Sequence, residues 1–492
     1  MERSFASFGI FLKNYLFAIL LFVISACPLF AVEPFALDIA GVYKIGQLDP
    51  NLTGKGVDIG LVCRSDTYTG QTPRNDYRPD ISHNCFKGLK IKFHDYDPST
   101  AGVSAHSTAI ASILTGMYSD ANLPGVGNFD YEGACPDAKL DVYEFRQFLS
   151  EYVFAGNWPG ADLYTMSLGW AVEDWWSRGI DRMVEQFGLL VIASIGNGTD
   201  ARDLPLYPAA GANVLAVGVA DSNGSLKDFN SPIPSRSTAG PTLDGRCKPD
   251  IIAPGNCLVA VAGKKNDFAA TGDYSSFAAP VVASVTALLI QKANTQPELS
   301  LAVSPVFSNC VLKSILMTSA QKLPGWHKGF DSANDDSEYP LDLRQGAGMV
   351  DGLSAYNLLL AGMQMDGNVP PAGWSIDIIE PNYAAERVYQ FKTPKTENQA
   401  VAATLIWNRP YGRDYPFEPL WQNLADFQLE LWRIDEQGSQ TLVDVSDSPV
   451  DNVEHIYFIA KPNTEYRFVI SHSLNSELPQ IFTPYAISWQ TK

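Results

Sequence analysis

Tyr274-Ser-Ser-Phe-Ala-Ala-Pro-Val-Val-Ala283 sets two serines ahead of a continuous apolar run. Proline has no N–H to give a helix and is tolerated only near its start, so Pro280 predicts a long apolar helix beginning close to Ser276. A serine at that mouth has its hydroxyl where backbone N–H groups and the helix dipole favour negative charge, which makes Ser276 a candidate nucleophile.

Upstream of this segment, near-continuous apolar runs at 57–63, 140–145, 162–168, 189–195 and 214–220 read as strands buried on both faces. Helical stretches alternate with them, at 106–115 closed by Gly116 and at 172–187 closed by Gly188. The pattern predicts an α/β unit over residues 38–362, a parallel sheet flanked by helices. Residues 362–374 read as a linker. Beyond it, aromatic and β-branched runs at 400–407, 427–432, 455–460 and 466–471 predict a smaller all-β sandwich over 370–492.

A serine hydroxyl is a weak nucleophile at neutral pH, so it needs a base, a group that orients the base, and donors for the oxyanion. His106, opening a helix, is the candidate base. Asn197, in Ala193-Ser-Ile-Gly-Asn-Gly198, is able to offer a side-chain amide to the oxyanion, and its flanking glycines let a substrate approach. Alone, Ser276 and His106 read as ordinary helix-start residues; the ordered set carries the chemistry.

That set resembles the subtilisin-type serine peptidases, the subtilases. The similarity runs from Gly54 to Asp351, through Gly54-Lys-Gly-Val57, His106-Ser-Thr108, Gly133-Ala-Cys-Pro136, Met166-Ser-Leu-Gly169, Tyr207-Pro-Ala-Ala210, Ser276-Phe-Ala-Ala-Pro280 and Gly346-Ala-Gly-Met-Val-Asp351. The resemblance implies a subtilisin-like sheet, a protein or peptide substrate, and roles for His106 as base, Ser276 as nucleophile and Asn197 at the oxyanion. It implies that Ser167, Leu168 and Gly169 form the strand that binds substrate backbone. Thr404-Leu-Ile-Trp407, the segment from Asn423 and Pro484-Tyr-Ala-Ile487 are similar to the C-terminal jelly-roll module of certain alkaline bacterial subtilases.

The departures fall inside the site. Subtilases carry aspartate at the end of the first strand, and here that acid slot holds Cys63. Asp66 is a substitute candidate three residues on, with Asp95 and Asp97 further away. A cysteine replaces a carboxylate only as thiolate, which needs cationic help such as Arg64; the alternative is Cys63 locked to Cys85 in a disulfide. Tyr274 and Trp170 stand where the family has glycine, and both rings are expected to crowd the cleft.

The chain has 492 residues, long enough for two folded units, and a composition of 46% hydrophobic and 18% charged residues is that of a globular protein. A formal charge of -19 repels phosphate backbones and anionic lipid, which argues against nucleic-acid binding and polybasic membrane attachment. Arg3 and Lys13 ahead of an apolar run at 15–32 predict an export signal over 1–31. Ile24-Ser-Ala-Cys27 has the form of a lipobox, the alternatives being cleavage near Ala26 or Ala31 or an uncleaved anchor; any membrane attachment is through this end, and no later stretch reads as a span. Six further cysteines permit disulfides, including a Cys247–Cys257 pair. No cofactor is required by this chemistry, and the acidic loop 331–338 offers carboxylates for calcium, with a solvated surface loop as the plainer reading. Two readings follow: an exported serine endopeptidase using Ser276 and His106, or a catalytically silent scaffold of the same fold that binds protein or peptide at the cell surface.

Overall fold

The structure, a computed structural model, describes residues 32–33, 35–65, 75–95, 97–198, 203–330, 336–382, 386–395, 397–420, 425–472 and 481–492. The export signal with Cys27, the substitute Asp66, residues 331–335 of the acidic loop and Asn423 lie outside them.

Seven strands form one parallel sheet: β1 Asp58–Cys63, β2 Lys90–His94, β3 Lys139–Glu144, β4 Leu163–Met166, β5 Leu190–Ser194, β6 Leu215–Ala220 and β7 Ile251–Pro254. Their spatial order is β7-β6-β5-β4-β1-β3-β2. β4, β5, β6 and β7 are buried at every position, which is why their sequences run apolar instead of alternating. A short antiparallel hairpin, β8 Leu258–Ala260 with β9 Phe268–Ala270, follows β7.

Helix α1 spans Ala105–Thr115, its first turn capped by the Ser104 hydroxyl accepting from the Ser107 amide at 3.1 Å. Helix α2 spans Trp175–Phe187, starting later than the apolar pattern predicts because Asp174 and Ser177 close a capping box there and leave Val172 exposed. It ends at Gly188 with φ 62°, where a Cβ would lie 1.5 Å from the Pro305 carbonyl. Helix α3, Ser275–Thr295, is long and apolar enough to cross a membrane, yet 83% of its apolar window is buried inside the protein, so it is the core helix. Helix α4, Ser308–Ser319, lies beside it.

The second unit holds a four-stranded sheet and a five-stranded sheet, packed as a sandwich around Tyr389, Leu405, Trp407, Phe468 and Trp489. Trp374, read as linker, is instead a fully buried residue of the strand Ala372–Ile379 whose indole donates to the Leu359 carbonyl at 3.1 Å; its burial pulls the strand start back into the Gly/Pro-rich segment. The sandwich joins the α/β unit without a gap, since Trp374, Ile406, Val453 and Ala486 share one core with α3 and α4. Polar contacts fix the joint: Thr318 meets the Thr404 and Ser488 hydroxyls at 2.7 Å, and Asn213 and Arg409 exchange backbone and side-chain bonds at 2.8 and 2.9 Å.

Candidate active site

The mouth of α3 stands at the C-terminal ends of the parallel strands, where open α/β sheets place their ligands. Ser276 is the second residue of the helix and half-buried. Pro280 lies four residues on, and lacking an N–H it leaves the Ser276 carbonyl without its helical donor. The Ser167 hydroxyl donates to that carbonyl at 2.6 Å. Ser167 therefore ties the end of β4 to the nucleophile helix, a role the sequence did not disclose.

Asn197, exposed after β5, has its side-chain oxygen held by the Ser275 amide at 2.7 Å and the Ser275 hydroxyl at 2.9 Å. A backbone N–H only donates, so Oδ1 must face Ser275 and the Nδ2 amide is the end left for the cleft. Ser275 itself is buried and accepts from the Gly196 amide at 3.2 Å, which locks the loop and the helix mouth into one unit.

His106 is the second residue of α1, half-buried, its ring centroid 5.7 Å from that of Phe277. Two cavities meet at this place. One, of about 290 Å³, runs from Cys63 and Arg64 past Ser167, Leu168 and Gly169 to Leu206; the other, of about 570 Å³, is walled by residues 259–262 of the β8 hairpin, Tyr274 and Phe277. Among the described residues, His106, Asn197 and Ser276 are the three that border both.

Cys63 closes β1 and reaches the first cavity while only 4% exposed. It is not in a disulfide, and neither are Cys85, Cys135, Cys247, Cys257 and Cys310, so neither pairing that the sequence left open is formed. Burial pushes the Cys85, Cys135, Cys247 and Cys257 thiols up, and that of Cys310 to about 12, which keeps them protonated. Arg64 stacks over the Trp170 ring at 4.9 Å. Trp170 does not crowd the cleft: its ring packs on Phe145 and Trp176, each at 5.0 Å. Tyr274 stands at the edge of the larger cavity, the residue 48% exposed, bordering space that stays open.

Two of the substitute acids are occupied elsewhere. Asp95 is gripped by Arg78 at 2.6 and 3.0 Å and by the Tyr77 hydroxyl, and Asp97 caps a single turn by accepting from the Ser99 amide at 3.0 Å. Glu144, paired with Cys63 in the sheet register, turns its carboxylate to the Gln147 amide at 3.0 Å and to Arg146 at 3.2 Å. Among the described residues no group of three or more His, Cys, Asp or Glu side chains is placed to hold a metal.

Sequence reasoning missed Ser275 and Leu206. Ser275 was legible as the first of the paired serines, whereas nothing in the text around Leu206 marks it.

Residues 51–348 match the family model of the subtilase family, peptidase S8. Serine protease AprX of Bacillus subtilis (strain 168) is 26% identical over 286 residues, 51% of this chain and 60% of that protein. The chain thus spans less than two thirds of that relative's length. The solved structure of the patellamide maturation protease PatG is similar at a TM-score of 0.45 with 16% identity, covering 67% of this chain and 98% of that one. With the family model matching well over half of its residues, this chain belongs to the subtilase family.

Proposed function

We propose that the protein is an exported serine endopeptidase that cuts protein or peptide chains through an acyl-enzyme at Ser276. The observation that carries the reading is that, among the described residues, His106, Asn197 and Ser276 are shared by two adjoining cavities, as a substrate extending to both sides of a scissile bond requires. His106 takes the Ser276 proton as Oγ attacks the carbonyl. Asn197 Nδ2 and the amides at the mouth of α3 meet the oxyanion, and His106 then protonates the leaving amine. Water releases the acyl group by the same route reversed. These steps use side chains and water; calcium at the 331–338 loop would be structural.

A cysteine in the acid slot does not by itself remove the chemistry, since loss of the orienting acid in serine peptidases costs about ten-thousand-fold and still leaves catalysis above water. Export is supported by the charged and apolar pattern of the first residues, with Cys27 as the point of lipid attachment in an envelope-bound form. The second reading, a silent peptide-binding scaffold, is favoured by Cys63 in the acid slot.

Covalent labelling with a fluorophosphonate, with Ser276→Ala as control, decides between them. Labelling that disappears in the variant supports the peptidase. A folded protein that takes no label supports the scaffold.

A further inference from the structure

The two cavities differ in what they can hold. In the smaller one, the gap between the Ser167–Gly169 wall and the Asn197 loop is occupied by Leu206: a Cβ built on Gly169 would lie 2.7 Å from Leu206 Cβ, and one on Gly196 would lie 3.1 Å from Leu206 Cγ. Leu206 is held in place on both sides. Its amide donates to the Ile195 carbonyl at 2.9 Å, and the next residue, Tyr207, pairs with Trp170 through bonds of 2.8 and 3.0 Å. The larger cavity has about twice the volume, and among the described residues no Asp, Glu, Lys or Arg lines it. Val259, Val261, Tyr274 and Phe277 give it apolar walls.

We propose that the cleft selects a small neutral residue on the acyl side of the scissile bond and a bulky apolar residue on the leaving side, with Leu206 setting the first choice and the β8 hairpin with Phe277 the second. The inference rests on the peptidase reading for its direction, and takes the Ser167–Gly169 wall, which the family resemblance assigns to substrate backbone, as the acyl side. A side chain that enters between Gly169 and Gly196 on that half is expected to meet Leu206. An apolar ring on the other half exchanges water for the walls of the larger cavity.

The test uses the full chain and two peptidyl diphenylphosphonates that differ only in carrying alanine or phenylalanine at phosphorus, each rate divided by the same protein's rate with a small fluorophosphonate. The alanine probe is expected to react at least tenfold faster, and Leu206→Gly to reverse that order, with Leu206→Ala as a second variant should the first fail to fold. Equal rates in the parent protein, or an order unmoved by either folded variant, overturn the role of Leu206. Hydrolysis of otherwise identical octapeptides is expected to be at least tenfold faster at Ala-Phe than at Ala-Asp, and equal rates overturn the apolar leaving-side site. If the small fluorophosphonate does not label Ser276, the peptidase reading fails by itself. The selectivity is then read by titrating the Ser276→Ala protein with octapeptides centred on Ala-Phe and on Phe-Ala: at least tenfold tighter binding of the former upholds it, and equal binding overturns it.

Discussion

The Ser167 hydroxyl donates to the Ser276 carbonyl at 2.6 Å, taking the place of the helical N–H that Pro280 cannot supply. Two sequence features more than a hundred residues apart thus answer each other, and the bond holds the end of β4 against the mouth of α3. Ser167→Ala is expected to leave that carbonyl short of a donor, costing about 1–3 kcal/mol of stability and lowering the fluorophosphonate labelling rate. Pro280→Ala in the same chain restores an N–H and is expected to recover part of the loss. A double-mutant cycle read by urea unfolding and by labelling rate checks it.

Asn197→Ala removes the Nδ2 donor together with the Oδ1 acceptor that holds the Ser275 amide and hydroxyl. The expected loss in kcat is about a hundred- to a thousand-fold with KM little changed, as for removal of a single oxyanion donor. Steady-state kinetics on a peptide substrate measure the split.

Cys63→Asp places a carboxylate at the end of β1, where the residue already reaches the cavity shared with His106 and Ser276. Its kcat/KM is expected to rise at least tenfold, within a ceiling of about ten-thousand-fold set by what the orienting acid contributes in serine peptidases. An unchanged rate would show that His106 is already oriented by another group, and Asp66→Asn is the variant to compare.

Asp250, fully buried, pairs with Lys248 at 2.7 Å and Lys313 at 2.9 Å, joining β7 to α4 beneath the sandwich. Burial pushes the Lys248 ammonium down to about 8, and the two lysines hold the Asp250 carboxyl below its usual range. Asp250→Asn leaves two ammonium groups without their counter-charge and is expected to destabilise the protein by about 3–5 kcal/mol. Denaturant unfolding at pH 7 measures it.

His455 is buried at the joint between the two units, with Nε2 at 2.7 Å from the Lys322 ammonium and Nδ1 at 2.8 Å from the Thr404 hydroxyl. Lysine only donates, so Nε2 accepts and Nδ1 carries the proton. Burial, with Lys322, Lys328 and Lys492 nearby, holds its pKa well below the usual 6.5. Below pH 6.5 the unfolded chain therefore takes up a proton that the folded chain refuses, and stability falls with pH. Urea unfolding at pH 7.5 and 5.0 is expected to show a smaller pH loss in His455→Gln than in the parent protein.

The order of apolar runs, the helix-stopping glycines and Pro280 carried the α/β sheet, the sandwich and the place of Ser276 in the linear text, because buried parallel strands and helix starts leave local signatures. Local pattern also named His106, Asn197 and Cys63. It did not carry the disulfide question, which depends on how thiols meet in three dimensions, nor the direction of the Trp170 ring, which the pocket formed by Phe145 and Trp176 decides. Trp374 was misplaced for the same reason, as its burial depends on a helix and a sheet remote in sequence. The amino-acid sequence by itself determined the family, the two-unit architecture and the residues offered for catalysis, since each rests on short-range periodicity and motif order. Only the tertiary structure decided that Ser167 replaces a missing helical donor, that Ser275 turns the Asn197 amide to the cleft and that Leu206 narrows the smaller cavity between Gly169 and Gly196. Each of those is a contact between segments that no local rule brings together.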